Sequence, residues 1–194
     1  MMQKLIYKII ARVGKELIYE LKFIGHCLLR WLELVGQIFP SDERGCKIRG
    51  LFYRPFLKKC GKNFQVAIGA KFENLDNIEI GNDVYIGPGC WVCGIRGGIV
   101  MEDQVMLGPK ICIISSNHTP INNSFRFGPG IGAKIVIGRG TWIASNCVIT
   151  AGVNLGSCCL VAAGSIVTKN FESFSIIGGI PAKQIGNCHD KYSI

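Results

Sequence analysis

The sequence predicts an all-β solenoid, a parallel β-helix of hexapeptide repeats preceded by an amphipathic helical segment, and three observations carry that prediction. Aliphatic side chains recur at six-residue spacing or after short breaks, at Ile68, Ile80, Ile86, Val92, then Met101, Leu107, Ile113, then Ile137, Ile143, Ile149, Leu155, Val161 and Val167. Gly follows the aliphatic in IGNDVY, IGPGCW, LGPKIC, IGRGTW and LGSCCL, and Ala takes that place after Ile143 and Val161. Four residues after the aliphatic comes a second, small or branched residue: Val84, Cys90, Val105, Ile111, Thr141, Cys147, Val153, Cys159 and Ser165. A hexapeptide period belongs to a β-helix. Each unit is a short strand and a tight turn, with Gly or Asn giving the corner its backbone freedom. Three units close a triangular coil around the aliphatics, and coils stack at about 4.8 Å, each satisfying the backbone groups of the next.

The chain of 194 residues suits one sizeable core. Its organisation reads as an N-terminal amphipathic helical segment over 1–42, a basic connector over 43–61, the β-helix over 62–168 with an extruded loop at 115–134, and a tail over 169–194. Residues 140–168 contain no charge. They keep the six-residue period with Gly, Asn, Ser and Thr at corners, which a lipid-facing helix has no reason to do, so they are not a membrane span.

At helical spacing Lys4, Lys8, Arg12, Lys15 and Lys22 share one face of the N-terminal segment, and Ile6, Ile9, Ile10, Val13, Leu17, Ile24, Leu28 and Trp31 share another. Residues 1–62 hold 13 Lys and Arg against 5 Asp and Glu, a net of +8 out of the chain's +9. Such a stripe docks on the solenoid or a partner subunit, or lies on an anionic membrane surface through residues 1–40, where each cation adds about 1 kcal/mol. Phe39-Pro40-Ser41-Asp42 stops the helix. Basic residues interrupt the apolar run, against a secretory signal peptide. The charge comes with no nucleic-acid-binding motif, so no nucleic acid partner is expected.

Ten cysteines are present, and Cys90, Cys112, Cys147 and Cys159 fall in or beside repeat units, where Cys is a small hydrophobe. Cys90 and Cys93 form a CxxC without two further ligands at zinc spacing, so no metal is expected. Free thiols imply a reducing compartment and a cytoplasmic location.

Two interruptions break the period. GIRGGI at 94–99 adds three residues at a corner, and the longer SSNHTPINNSFRFGPGIGAK follows Ile113. A coil gains nothing structural from a long insertion, whereas loops on a rigid scaffold collect function. His118 stands at its root among Ser, Asn and Thr, and imidazole is the side chain best matched to proton transfer near neutral pH. His26 and His189 lie in the helical segment and near the C-terminus, and neither sits among groups that suggest catalysis.

The period, the loop bearing Asn117-His118, the segment Trp142-Ile143-Ala144-Ser145-Asn146 and the tail Gly178-Gly179-Ile180-Pro181-Ala182-Lys183 together resemble the hexapeptide-repeat acyltransferase family over roughly residues 60–185. The likeness is greatest to its galactoside, maltose, xenobiotic and polysaccharide O-acetyltransferase branch. The resemblance implies a left-handed β-helix, a homotrimer, and acetyl-CoA as co-substrate in the groove between neighbouring prisms. It implies His118 as general base, with Asn117 or a backbone N–H holding the oxyanion. Trp142, Ala144, Ala162 and Ala163 would line the pantetheine arm, Thr168, Lys169 and Lys183 would meet the phosphates, and Pro181 would border the adenine. The acceptor would be a sugar or glycan. The serine acetyltransferase helical domain and the sugar-nucleotide domain of one N-acetyltransferase branch are both missing, and the basic N-terminus suggests an acceptor of a surface polysaccharide or its lipid-linked precursor, met at the inner face of the cytoplasmic membrane. The alternatives are N-acetylation of an amino sugar, a non-catalytic assembly module, and a zinc carbonic anhydrase, for which the repeat region has only one of three histidines.

Overall fold

The computed structural model describes residues 2–192; the side chains of 2–13, Lys22 and Tyr192 lie outside the described ones, and with them Lys4, Lys8, Arg12, Lys22, Ile6, Ile9, Ile10 and Val13 of the expected stripe. Helix α1 (Met2–Gly36) and helix α2 (Glu43–Tyr53) precede a left-handed parallel β-helix of about five turns. Its three faces are stacks of two- and three-residue strands. Face 1 runs from Lys59–Cys60 through Ile78–Ile80, Ile99–Met101 and Ile135–Ile137 to Asn154–Leu155. Face 2 runs from Gln65–Val66 to Leu160–Val161 and is continued by a hairpin, Ser175–Gly179 with Ala182–Asn187. Face 3 runs from Lys71–Glu73 to Ile166–Val167. The inward residues stand in register up each face, as in Val66, Ile86, Leu107, Ile143, Val161 and Ile177 on face 2, and all are buried.

One position of the expected pattern is corrected. Ile68 is 37% exposed at a corner, and the inward residue of that unit is Val66, which pairs with Ile86. A short turn at Leu75–Asn77 adds two residues between the inward Phe72 and Ile80, so counting back by sixes from Ile80 lands on the wrong side chain. The first coil also starts earlier, at Cys60, which pairs with Ile80.

Glycine serves two separate needs at the corners. Gly87, directly after the inward Ile86, has no room for a side chain, because a Cβ there would stand 2.4 Å from Gly108 O of the next coil. Gly164, three residues after Val161, has open space around it but φ +74°. Asn63, Asp83, Gln104, Lys110, Asn146 and Cys158 occupy that same third position with positive φ. The small residues four places on also do more than fill space. The Sγ–H of Cys90 donates to Gly108 O, that of Cys147 to Ala162 O and that of Cys159 to Glu172 O, while Thr141 Oγ1 donates to Gly156 O at 2.9 Å. Burial pushes these thiols above the ordinary cysteine range, so they stay protonated donors.

The stretch expected as a basic connector carries α2, whose start is capped by Asp42 Oδ1 accepting from Gly45 N–H at 2.8 Å. Arg49 of α2 is buried and donates to Val66 O, Gly36 O, Phe39 O and Pro40 O, tying α1, its exit loop and the first coil together. Tyr53 stacks on Phe72 with ring centroids 4.6 Å apart and closes the base of the prism. On α1 only Leu29 is a fully buried apolar side chain among the described ones, while Leu17, Ile18, Leu21, Ile24, Leu28 and Trp31 are exposed. No helix among the described residues is long and apolar enough to cross a membrane.

The two glycine roles separate on substitution. Gly87→Ala should lower stability by about 1–3 kcal/mol through the backbone clash, and Gly164→Ala by about 1–2 kcal/mol through the left-handed conformation. Urea melts should show Asn recovering most of the loss at 164, where αL is tolerated, and none at 87.

Candidate active site

Where the six-residue period fails after Ile113, the chain leaves face 3 and forms an antiparallel hairpin, Ser116–His118 with Gly130–Gly132, pairing Asn117 with Ile131 and His118 with Gly130. A backbone that leaves the coil stack loses its donors and acceptors there and must pair with itself. The hairpin does so again at its far end, where Ile121 and Ser124 exchange backbone hydrogen bonds around Asn122 and Asn123, both at positive φ, the requirement of a tight two-residue hairpin turn. Thr119 fixes the middle, its Oγ1 donating to Pro129 O at 2.7 Å.

The root of the hairpin rests on the smaller interruption one coil below. Ser115 is buried; its Oγ accepts from Gly98 N–H at 3.1 Å and donates to Ile95 O at 2.9 Å. Gly132 lies flat over Gly97, where a Cβ would stand 2.4 Å from Gly97 N, and Gly130 lies against the Arg96 guanidinium in the same way. The two breaks in the period are therefore one structural unit.

Asn117 and His118 face an open recess completed by Phe125, Arg126 and Ile131 of the returning arm. Both Asn117 and His118 are exposed, and neither side chain has a hydrogen-bond partner among the described residues. An imidazole held on a paired strand with both ring nitrogens available can take a proton from a bound hydroxyl or amine.

The other expected site residues divide into two groups. Trp142 stands on face 2 in register with Met106 below and Leu160 above, and is 41% exposed. Ala144 and Ala162 follow at the corner of faces 2 and 3, joined coil to coil: Ala144 N–H donates to Val161 O and Ala162 N–H to Ile177 O. Gly178 lies beside Ala162 and pairs with Lys183 across the closing hairpin, whose turn carries Pro181. Trp142, Ala144, Ala162, Ala163, Pro181 and Lys183 thus form one strip, smooth in the middle and cationic at the end. Thr168 and Lys169 are not on it. They sit at the corner of faces 3 and 1, on the same edge as the His118 hairpin, with Lys169 Nζ 5.5 Å from the Phe171 ring centroid. None of the strip residues lines the His118 recess.

Sequence reasoning missed Ser115, Arg96 and the arm residues Phe125, Arg126 and Ile131. The first two were signalled by the placing of both interruptions at the same corner of successive coils, the last by the Phe-Arg-Phe run within a polar loop. Among the described residues no group of three His, Cys, Asp or Glu could hold a metal ion.

The left-handed parallel β-helix is a fold shared with known acyl-transferring proteins. The galactoside O-acetyltransferase of Escherichia coli is 29% identical over 164 residues, covering 84% of this chain and 80% of that one. A maltose O-acetyltransferase from Clostridium difficile superposes with a TM-score of 0.70 at 25% identity, over 82% of this chain and 83% of that one. A galactoside acetyltransferase in complex with coenzyme A shares the fold with a TM-score of 0.74 at 22% identity, over 87% and 83% of the two chains. The fold also extends to an N-acyltransferase from Bacillus cereus, TM-score 0.61 at 18% identity, over 74% and 90%. No family model matches the sequence. In sequence and in fold the chain is similar to the hexapeptide-repeat acetyltransferases.

Replacing Ser115 tests the root of the site. Ser115→Ala should leave Gly98 N–H without its acceptor and speed amide hydrogen exchange in 116–132, while the thermal midpoint of the coils changes by little.

Proposed function

We propose that the protein is an acetyl-CoA-dependent O-acetyltransferase that transfers an acetyl group to a sugar hydroxyl of a surface polysaccharide or its lipid-linked precursor. The observation that carries this reading is the unpartnered pair Asn117 and His118, presented to an open recess by a hairpin whose root is locked to the solenoid. His118 takes the proton of the acceptor hydroxyl as the oxygen attacks the thioester carbonyl. The C–S bond then breaks, and the departing thiolate receives that proton from the imidazolium. Asn117 or a backbone N–H holds the oxyanion between those steps. No acyl-enzyme is needed.

The strip from Trp142 through Ala144, Ala162 and Ala163 to Pro181 and Lys183 suits the co-substrate. Its centre has side chains no larger than methyl, fitting a thin pantetheine arm, and Lys183 offers a mobile point charge to phosphate. In one copy the strip and His118 lie on different edges, with face 3 between them. A homotrimer resolves this by setting the strip of one copy against the hairpin edge, with Thr168 and Lys169, of the next. Transfer to an amino sugar is the second reading, favoured by the fold shared with an N-acyltransferase. The same general base serves both, and a paired panel of hydroxyl and amino acceptors separates them.

The exposed apolar side of α1 is assigned to an anionic membrane surface. Residues 1–62 carry a net charge of +8, so packing α1 against copies of itself would bring like charges together, whereas anionic lipid neutralises them. Leu21, Ile24, Leu28 and Trp31 would enter the interface, leaving the enzyme peripheral at the inner face of the cytoplasmic membrane. Ten free cysteines fit the reducing side of that membrane.

Three measurements test these assignments. His118→Ala should keep its fold and lose roughly 10²- to 10⁴-fold in transfer rate, and a loss below about threefold would remove His118 from the mechanism. Calorimetry should show saturable binding of acetyl-CoA that weakens in Lys183→Ala; a folded protein that does not bind acetyl-CoA would end the acyltransferase reading. Leu21→Glu with Leu28→Glu should shift the protein from membrane to soluble fractions with the oligomer intact, and an unchanged partition would return α1 to a protein partner.

A further inference from the structure

Four features of the hairpin bear on what the acceptor is. Its residues 115–134 contain no Asp or Glu, and Arg126 is the one permanently charged side chain lining the recess with His118. Arg30, Arg49 and Arg139 elsewhere are each engaged, with Glu33, with buried carbonyls and with Gln104 respectively. Arg126 has no ion pair or hydrogen bond among the described residues; its guanidinium carbon stands over the Phe127 ring, 5.7 Å from the centroid. A guanidinium held over a ring face keeps its in-plane N–H fork free for a planar anion. Phe125, in the same recess, is exposed and offers an apolar ring of the kind a pyranose face packs against.

Recognition of a neutral sugar relies on side chains that accept hydrogen bonds from its hydroxyls. Here the recess offers Asn117 and His118, of which His118 is assigned to the chemistry, and then five donor N–H groups on Arg126 with no acceptor capacity at all. A neutral glycan would leave that cation unmatched, whereas an anionic one would satisfy it with charge-assisted hydrogen bonds. We infer that the acceptor is a sugar bearing an anionic substituent, a carboxylate or a phosphate, and that Arg126 grips that group while Phe125 packs on the ring and His118 faces the hydroxyl to be acetylated. This inference rests on the acetyl-transfer reading for the fate of the sugar, but not for its binding.

The test uses the full chain and three probes: nitrophenyl β-glucoside as the neutral sugar, nitrophenyl β-glucuronide as its carboxylate counterpart, and glucosyl phosphate. Binding to the free protein is followed by calorimetry, and acetyl transfer is followed separately with acetyl-CoA. At least one anionic probe should bind about tenfold or more tightly than the neutral one, and the preferred probe identifies the substituent. Arg126→Ala should remove that preference while leaving the neutral probe within about twofold. Arg126→Lys should retain part of it, because the charge remains and the fork is lost. In transfer assays the Arg126→Ala loss should appear in KM for the anionic probe, not in kcat. Equal binding of all three probes by the wild-type protein, or equal weakening of all three by Arg126→Ala, would overturn the inference. Anionic selectivity in binding without transfer to any probe would support it while counting against the transferase reading.

Discussion

The backbone amides of Ala67, Gly108, Ala144 and Ala162 reach the carbonyls of Ile86, Ile143, Val161 and Ile177 in the coil above at 2.8–2.9 Å, and this single geometry, repeated along all three faces, is what the remaining structure depends on. Strands of two or three residues have no independent stability. They persist because each is sandwiched between its counterparts and because the inward column beneath them is fully buried. The coil spacing is accordingly fixed, which is why Gly or Ala follows the inward Ile80, Ile86, Leu107, Ile137, Ile143, Leu155 and Val161, and why a small hydroxyl or thiol turned inward at the corner donates to the carbonyl left over there. Cys90, Cys147 and Cys159 are best understood as members of a series with Thr141 and Ser165, chosen for size and for one hydrogen to donate.

A stack of this kind has two open ends and three edges, and the chain treats each differently. The lower end is closed by α2, with Arg49 and Tyr53 reaching under the first coil; the upper end is closed by the hairpin that folds Ala182–Asn187 back along Ser175–Gly179. Arg49 is buried without a carboxylate partner, and the carbonyls at the end of α1 and of its exit loop take that role. Such a helix C-terminus is the negative end of a dipole, suited to a cation. The expectation of a basic connector recognised the charge of residues 43–61 but not its use, because burial of an arginine leaves no periodic trace in sequence.

The solenoid was readable from the sequence because its period is enforced at every coil, and a reader needs only a few intact units to recover it. The error at Ile68 arose where the period was shifted by the two extra residues before Ile80, in a unit whose own residues look regular. The hairpin was readable only as a break. Its strands pair over three residues, with a single bridge at the tip and no buried face, so no hydrophobic alternation marks them, and Phe125, Arg126 and Ile131 meet His118 only once the arm has folded back. His118 itself was visible because a lone histidine stood at the break. The role of Ser115 was not, since a buried serine in a polar run looks like its solvated neighbours. The division of the expected co-substrate residues between two edges was equally hidden, because linear order says nothing of which corner a residue occupies.

The hairpin meets the prism at its root, through Ser115, Gly130, Gly132 and Ala133, while the segment from Pro120 to Gly128 makes its own turn and hydrogen bonds. Changes at the tip are thereby thermodynamically decoupled from the coils. A lineage carrying this scaffold is free to exchange residues 120–128, and with them the lining that Phe125 and Arg126 give the recess beside His118, without passing through unstable intermediates. In such a protein the hairpin tip is a replaceable cassette, and its diversification need not wait on compensating changes in the core.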